Sequence, residues 1–263
     1  MEAAFLDLDK TIIAKSSVLA FGRPFYREGL LSRRAIVRSI YAQVVYMLVG
    51  ADEEKMEKLR VAMSAMTRGW NRDHVASIVR ETLTEVIEPI IYAEALELID
   101  DHHAAGREVV IVSSSPVEVV EPLTEFLGAD TAIATRAEVD VVGNYTGELE
   151  FYAYGASKAE AIRELAMEHG IDLDGSYAYS DSVTDTPMLE TVGHPVAVNP
   201  DRELARLARD REWDVRVFAR PVRLRDRVPV PPAGPTIALS SVLAFAGAGV
   251  AVWWWLRRRE HAA

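Results

Sequence analysis

Three short stretches of this chain change abruptly from mostly apolar or aromatic residues to a carboxylate or hydroxyl. Residues 3–6 run into Asp7, residues 108–112 into Ser113, and residues 176–179 into Ser180 and Asp181. Each has the length of a buried strand, and helical periodicity separates them at 93–105, 116–127 and 156–169. Further strand patterns fall at 131–134, 195–198 and 214–217, with a helix at 201–210 between the last two. Residues 136–142 and 145–151 alternate around Gly143-Asn144, the pattern of a hairpin. Strands alternating with helices predict an α/β fold, a Rossmann-like parallel sheet with helices on both faces. Ligands of such sheets bind beyond the carboxyl ends of the strands. Asp7, Ser113 and Asp181 are therefore expected to converge on one crevice.

Residues 16–89 break this rhythm. They contain no convincing strand, and apolar residues recur at helical spacing over 31–49, 52–66 and 72–87. Asn71 followed by His74 has the form of a helix start. The division expected is a catalytic core of residues 1–12 and 92–217, with residues 13–91 inserted as a helical cap. Arg23, Arg27, Arg33, Arg34 and Arg38 accompany Phe21, Phe25, Tyr26, Leu30 and Leu31 in the cap. Such a stretch fits an anionic membrane surface or a cap helix with a solvated basic face. His102 and His103, near a helix end, read as solvated.

The net charge of −11 argues against a nucleic-acid partner, since neutralising phosphates takes clustered Lys and Arg. With no cysteine there is no thiol nucleophile, disulfide or cysteine zinc site. The N-terminus lacks a basic segment before its apolar run, so a signal peptide is not expected. Residues 218–235 read as a linker rich in Pro and Arg, and residues 236–256 carry no charge. This last run ends in Trp253-Trp254-Trp255 and is followed by Arg257-Arg258-Arg259. Its length and its interfacial residues predict a transmembrane helix. The expectation is a single-pass protein of the cell membrane, tethered through that C-terminal helix, with its catalytic domain in the cytoplasm.

Asp7 and Asp9 lie two positions apart at a strand end. A carboxylate can attack phosphorus and divide phosphate transfer into two easier steps through an acyl phosphate. A second carboxyl nearby can protonate the leaving oxygen and afterwards activate water. The segment Asp7-Leu8-Asp9-Lys10-Thr11 resembles the Asp-x-Asp-x-Thr signature of the haloacid dehalogenase superfamily. Three further motifs resemble the rest of that family's set, in order: Ser113 closing Val-Val-Ile-Val-Ser, Lys158 in Gly-Ala-Ser-Lys, and Asp181-Ser182-Val183-Thr184-Asp185. The segments 112–116, 145–149 and 178–182 are similar to the subfamily IB hydrolases, which include phosphoserine phosphatase-like enzymes. A helical cap after the first strand is the arrangement that the resemblance implies.

Carried over by that resemblance, Asp7 is the nucleophile and Asp9 the general acid and then base. Ser113 and Ser114 would bind the phosphoryl group, with Thr11 supporting the nucleophile's loop beside it and Lys158 neutralising charge. Mg²⁺ would be held by Asp7, the Asp9 carbonyl, Asp181 and Asp185, the last holding a metal-bound water or orienting Lys158. Asp-Lys-Thr also opens the signature of ion pumps that are phosphorylated on aspartate. That register needs Gly-Thr next, where this chain has Ile12-Ile13, so Asp7 is preferred as nucleophile. The function implied is a Mg²⁺-dependent phosphomonoesterase for a phosphorylated small molecule or lipid. Phosphoserine phosphatase, a non-catalytic regulator on the same fold and phosphotransfer to an alcohol are the alternatives. In phosphoserine phosphatase a cap glutamate nine positions after the nucleophile grips the substrate amine. Ser16 stands there in this chain.

Overall fold

The computed structural model describes residues 1–31 and 64–220. Strand β1 (Ala3–Asp7) lies near the middle of a seven-stranded sheet, between β2 (Glu108–Pro116) and β5 (Tyr177–Ser180), and runs parallel to both. Outward from β2 come β3 (Thr131–Val139) and β4 (Tyr145–Phe151); from β5 come β6 (His194–Val198) and β7 (Asp214–Arg216). Among the strand pairs of the described residues, only the β3–β4 hairpin is antiparallel. The sequence pattern divided β3 into two pieces at Thr135-Arg136. One strand is found, because the Thr135 hydroxyl donates to the Ser114 carbonyl at 2.8 Å and accepts from the Ala153 amide at 3.2 Å. A polar residue satisfied on both sides does not interrupt a buried strand.

Side chains alternate across a strand, so a sheet covered on both faces needs apolar residues at successive positions. Ala4 and Leu6 of β1 join Val109 and Ile111 of β2 on one face. Ala3 and Phe5 join Val110 and Val112 on the other. The first face is covered by α3 (Arg72–Ile87), α4 (Ala93–Ala104) and α5 (Val117–Leu127). The second is covered by α6 (Ala156–His169), the short α7 (Thr186–Leu189) and α8 (Arg202–Asp210). Helix α3 opens where its cap implied, with Asn71 accepting from the His74 amide at 3.1 Å.

Between β1 and α4 the helices described are α1 (Ser17–Ala20), α2 (Gly22–Arg27) and α3, the last followed by one 3₁₀ turn. Most of the expected helices at 31–49 and 52–66, and with them Arg33, Arg34 and Arg38, fall outside the described residues. Val75, Ile78, Val79, Leu83 and Ile87 of α3 belong to the same apolar cluster as Leu6 and Ile111. At the other end, Phe218 is buried in that cluster, and the amides of Ala219 and Arg220 donate to Glu94. Packed structure thus continues to Arg220.

No helix among the described residues is long and apolar enough to cross a membrane. This corrects the expectation of a transmembrane helix, of a membrane partner held through it and of single-pass location at the cell membrane. The physical reason lies in the amphipathic helices. Even α3, 16 residues long, interposes Arg72, Asp73, Arg80, Glu81 and Glu85 among its apolar positions. The uncharged run 236–256 lies outside the described residues.

His102 is a second correction. It is only 4% exposed, and its Nε2 lies 2.9 Å from the Tyr179 hydroxyl. Burial, with Arg107 and Arg216 nearby, pushes its pKa down to about 4. The unfolded chain takes up a proton near the ordinary histidine value, whereas the folded chain resists it. Stability from this source is complete above about pH 6.5 and is lost as pH falls toward 4. Urea denaturation should therefore show wild type losing roughly 2–3 kcal/mol more than His102→Gln between pH 7 and pH 4. Parallel losses in the two proteins would contradict a neutral buried imidazole.

Candidate active site

The register of the central strands sets the site. Asp7 is paired with Val112 on one side, so Ser113 follows one position beyond it. On the other side Leu6 is paired with Tyr179, which carries Ser180 and Asp181 to the same edge of the sheet. Lys158 arrives from the first turn of α6. Its helix is entered through Gly155 at φ +55° and ψ −123°, a conformation that a Cβ would strain.

The Lys158 ammonium is 3% exposed and bridges two carboxylates, at 2.7 Å from Asp7 Oδ1 and 2.9 Å from Asp185 Oδ2. Asp185 Oδ2 also accepts from the Ser180 hydroxyl at 2.7 Å, and the Thr11 hydroxyl donates to Asp7 Oδ2 at 3.3 Å. Burial is the largest influence on Asp7 and drives its carboxyl up to about 8, Lys158 opposing and Asp185 and Asp181 reinforcing. On Lys158 itself burial lowers the pKa, but Asp7 and Asp185 outweigh it and raise the ammonium above its ordinary value. The amine therefore keeps its proton and serves as a fixed positive charge.

Asp181 is also driven up by burial, to about 6, with the Lys10 ammonium opposing at 3.7 Å. Lys10 is two-thirds exposed and sits in the left-handed region at φ +67°, so the turn after Asp9 is strained. Asp201 ties this part of the site down. Its carboxylate caps α8 at the Glu203 and Leu204 amides and accepts from the Val183 amide, while its own amide donates to the Asp181 carbonyl at 2.7 Å.

Asp9 sits in different surroundings, with no ammonium within ion-pair distance among the described residues. Oδ1 accepts from the Ser17 amide at 2.9 Å, and Oδ2 receives a long contact of 3.5 Å from the Ser115 hydroxyl. Burial raises its carboxyl, and hydrogen bonds from Ser17 and Ser16 oppose the rise. Ser113 is buried and its hydroxyl oxygen accepts from the Ser115 amide at 3.2 Å, so its own O–H proton stays available. Ser114 is different: its side chain is exposed, and its carbonyl is held by Thr135.

Asp7, Thr11, Lys158 and Asp185 are thus in one hydrogen-bonded cluster, with Asp181 alongside and Asp9 on the opposite flank. Ser17, Ser115, Ser180 and Asp201 are participants that the sequence motifs did not single out. Ser115 was within reach of the period-2 rule, because residues 113 and 115 share a face of β2 and residue 114 does not.

The carboxylates and carbonyls here form an all-oxygen donor set, suited to a hard divalent cation. Among the described residues no cluster of three or more His, Cys, Asp or Glu side chains has metal-binding spacing. Asp185 is occupied by Lys158 and Ser180. Asp7 shares Lys158 with it, yet Asp7, Asp181 and the backbone together make a complement that Mg²⁺ tolerates because it retains water ligands.

A buried ammonium held between two carboxylates, with further carboxyls beside it at the strand ends, is an arrangement suited to a hydrolase of anionic esters. The haloacid dehalogenase-like hydrolase family matches residues 4–190, and the chain belongs to that family. It is similar to an inhibition of morphological differentiation protein of Streptomyces azureus, 55% identical over 99% of this chain and 95% of that protein. A probable phosphatase of Mycobacterium tuberculosis is 52% identical over 98% of this chain and 89% of that one. A phosphoserine phosphatase of the same organism is 35% identical, covering 88% and 75%. The chain is accordingly a phosphatase of phosphoserine phosphatase-like kind.

Removing the ammonium tests the electrostatics of the site. Lys158→Met leaves Asp7 and Asp185 buried without their shared cation, and should cost about 3–5 kcal/mol at pH 8 in urea denaturation. The cost should shrink toward pH 5, where the abandoned carboxyls neutralise themselves by protonation. A cost that does not vary with pH would mean that packing, and not charge, holds Lys158 in place.

Proposed function

We propose that this phosphatase is Mg²⁺-dependent, acts on a small phosphomonoester, and transfers the phosphoryl group to Asp7. The observation carrying this reading is the buried contact of 2.7 Å between Lys158 and Asp7, backed by Asp185 and Ser180. An ammonium fixed against one carboxylate oxygen orients that side chain and is already charged for a phosphoryl group arriving beside it. In the first step an Asp7 oxygen attacks phosphorus, the bond from phosphorus to the ester oxygen breaks, and Asp9 gives its proton to that oxygen. In the second step water attacks phosphorus, Asp9 takes the water's proton, and inorganic phosphate departs with Asp7 regenerated. Ser113 donates its free O–H to a phosphoryl oxygen, and Lys158 neutralises charge in both steps. Asp7, Asp181 and the Asp9 carbonyl would hold Mg²⁺, which supplies electrostatic stabilisation of the phosphoryl oxygens.

The roles of the two aspartates follow from their environments. Burial raises both carboxyls, but Asp7 has an ammonium against it that favours its ionised form, whereas Asp9 has, among the described residues, neutral donors only. Phosphoserine is a second reading, supported by the resemblance to phosphoserine phosphatase. Against it stands Ser16, which offers a substrate ammonium no carboxylate at the position where that enzyme has one.

Purified protein should hydrolyse p-nitrophenyl phosphate with Mg²⁺ and lose activity in EDTA. Asp7→Asn should reduce turnover by at least about 10³-fold, as expected when a covalent nucleophile is removed. Acid-quenched wild type should carry one hydroxylamine-labile phosphoryl group on the peptide containing Asp7. Mg²⁺ should also raise the melting temperature of wild type and not that of Asp181→Asn. Near-normal turnover by Asp7→Asn would refute the assignment of the nucleophile, and equal Mg²⁺ stabilisation of both proteins would refute the metal site. A panel containing phosphoserine, sugar phosphates and glycerol phosphates ranks the substrates, and a dominant rate on phosphoserine would favour the second reading.

A further inference from the structure

Asp9 is gripped from two directions by segments remote in sequence. From one side the Ser17 amide, at the start of α1, donates to Oδ1 at 2.9 Å. From the other, the Ser115 hydroxyl on the last turn of β2 reaches toward Oδ2 at 3.5 Å. The two serines meet each other, their hydroxyl oxygens only 2.7 Å apart although 98 positions separate them. Both side chains are almost fully buried, Ser17 at 0% and Ser115 at 3% exposure. A buried hydroxyl pair adds nothing to a hydrophobic core and has to satisfy itself internally. Either hydroxyl can donate in that contact; with Ser17 as donor, the Ser115 O–H is left to face Asp9 Oδ2. Hydrogen bonds in series polarise one another, so donation by Ser17 would strengthen Ser115 as a donor toward Asp9, which it meets at the long end of hydrogen-bond range. The Ser115 amide meanwhile donates to Ser113 Oγ at 3.2 Å, placing one residue between the phosphoryl-facing hydroxyl and the acid.

We infer that Ser17 and Ser115 are positioning residues for proton transfer: their hydroxyl pair clamps the Asp9 carboxyl in the orientation that protonates the leaving oxygen. The inference rests on the assignment of Asp9 as general acid. It goes further in two respects. It attaches the acid to the polypeptide leaving β1 for α1, so that a shift of α1 misaligns the proton donor without displacing Asp7. It also makes the third serine of the Ser113-Ser114-Ser115 run, and not the second, the one that matters to the chemistry. Neither serine touches phosphorus or forms a bond in the reaction. The proton still passes from Asp9 to the ester oxygen as the bond from phosphorus to oxygen breaks.

An acid matters most when the leaving group is a poor one, and this separates positioning from general damage. The measurement is kcat/KM, which reports only steps up to formation of the phosphoenzyme, on p-nitrophenyl phosphate and phenyl phosphate. The phenoxide leaving group is much the more basic and depends more on protonation. In Ser17→Ala and Ser115→Ala the preference for p-nitrophenyl over phenyl phosphate should rise about tenfold or more above the wild-type ratio, a part of the 10²–10⁴ that a general acid supplies. Ser115→Thr, which keeps the hydroxyl, should restore a ratio near that of wild type. An unchanged ratio in both alanine variants, with both substrates losing rate equally, would overturn the clamp. Asp9→Asn is the control for the underlying assignment and should raise the ratio most. If Asp9→Asn leaves the ratio at the wild-type value, the general-acid assignment fails, and the clamp fails with it. A raised ratio in Asp9→Asn alone condemns only the clamp.

Discussion

A lysine side chain buried between two carboxylates is the arrangement around which the rest of this molecule is organised. Taking three charged groups out of water costs far more than an exposed ion pair returns, and the arrangement survives only if geometry and extra hydrogen bonds compensate. Here the compensation is specific: Lys158 lies at 2.7 Å from Asp7 and 2.9 Å from Asp185, while Ser180 and Thr11 donate to the same carboxylates. Each partner comes from a different element. Asp7 ends β1, Ser180 ends β5, Lys158 rides the first turn of α6, and Asp185 lies in the turn that leads into α7. The apolar layers on the two faces of the sheet fix those elements, so the core does the positioning on which the charges depend.

The same sheet edge gives two identical side chains different lives. Asp7 and Asp9 are separated by one residue, yet the backbone turns sharply between them and Lys10, through the left-handed conformation of Lys10. Beyond that turn the amides of Ile12 and Ile13 close on the Leu8 carbonyl, at 3.0 and 3.1 Å. The loop therefore faces Asp7 toward the ammonium and Asp9 toward the serines. A pair of carboxyls becomes useful for acid and nucleophile chemistry when its environments diverge, and the divergence here is built by a loop of five residues.

Much of this was legible in the sequence, for reasons that differ from residue to residue. Strand ends were readable because apolar runs stop where a buried strand stops, and α3 was readable from its period and its Asn71 cap. Lys158 could be singled out only through motif order, since nothing local distinguishes it from a solvated lysine, and its contact with Asp7 spans 151 positions. His102 was misread although a signal was present. Ala95, Leu98, Ile99 and His102 form one buried helical stripe, and the adjacent His103 obscured it. Ser17 and Ser115 had no local signal for their pairing, because a contact across 98 residues exists only once the sheet has formed. The membrane reading erred differently: it took composition at the C-terminus for structure, and no described helix supports it.

The charge count of the site bears on what it must bind. Four carboxylates, those of Asp7, Asp9, Asp181 and Asp185, are arranged with two ammonium groups, those of Lys10 and Lys158. With all four ionised the cluster would be net negative, and burial together with that crowding raises the carboxyls of Asp7 and Asp181 well above their ordinary range. A phosphate dianion brought beside those carboxylates in their ionised forms meets repulsion, which low local dielectric makes stronger. Lys10 reaches Asp181 from a largely exposed position and neutralises it only in part. The side chains by themselves therefore hold Asp7 and Asp9 in place but offer an incoming anion little net attraction. A divalent cation held by Asp7 and Asp181, as proposed, would offset that charge and favour the ionised forms of both carboxyls. On this argument the cation of the proposed mechanism would serve entry of the substrate as well as the chemistry that follows.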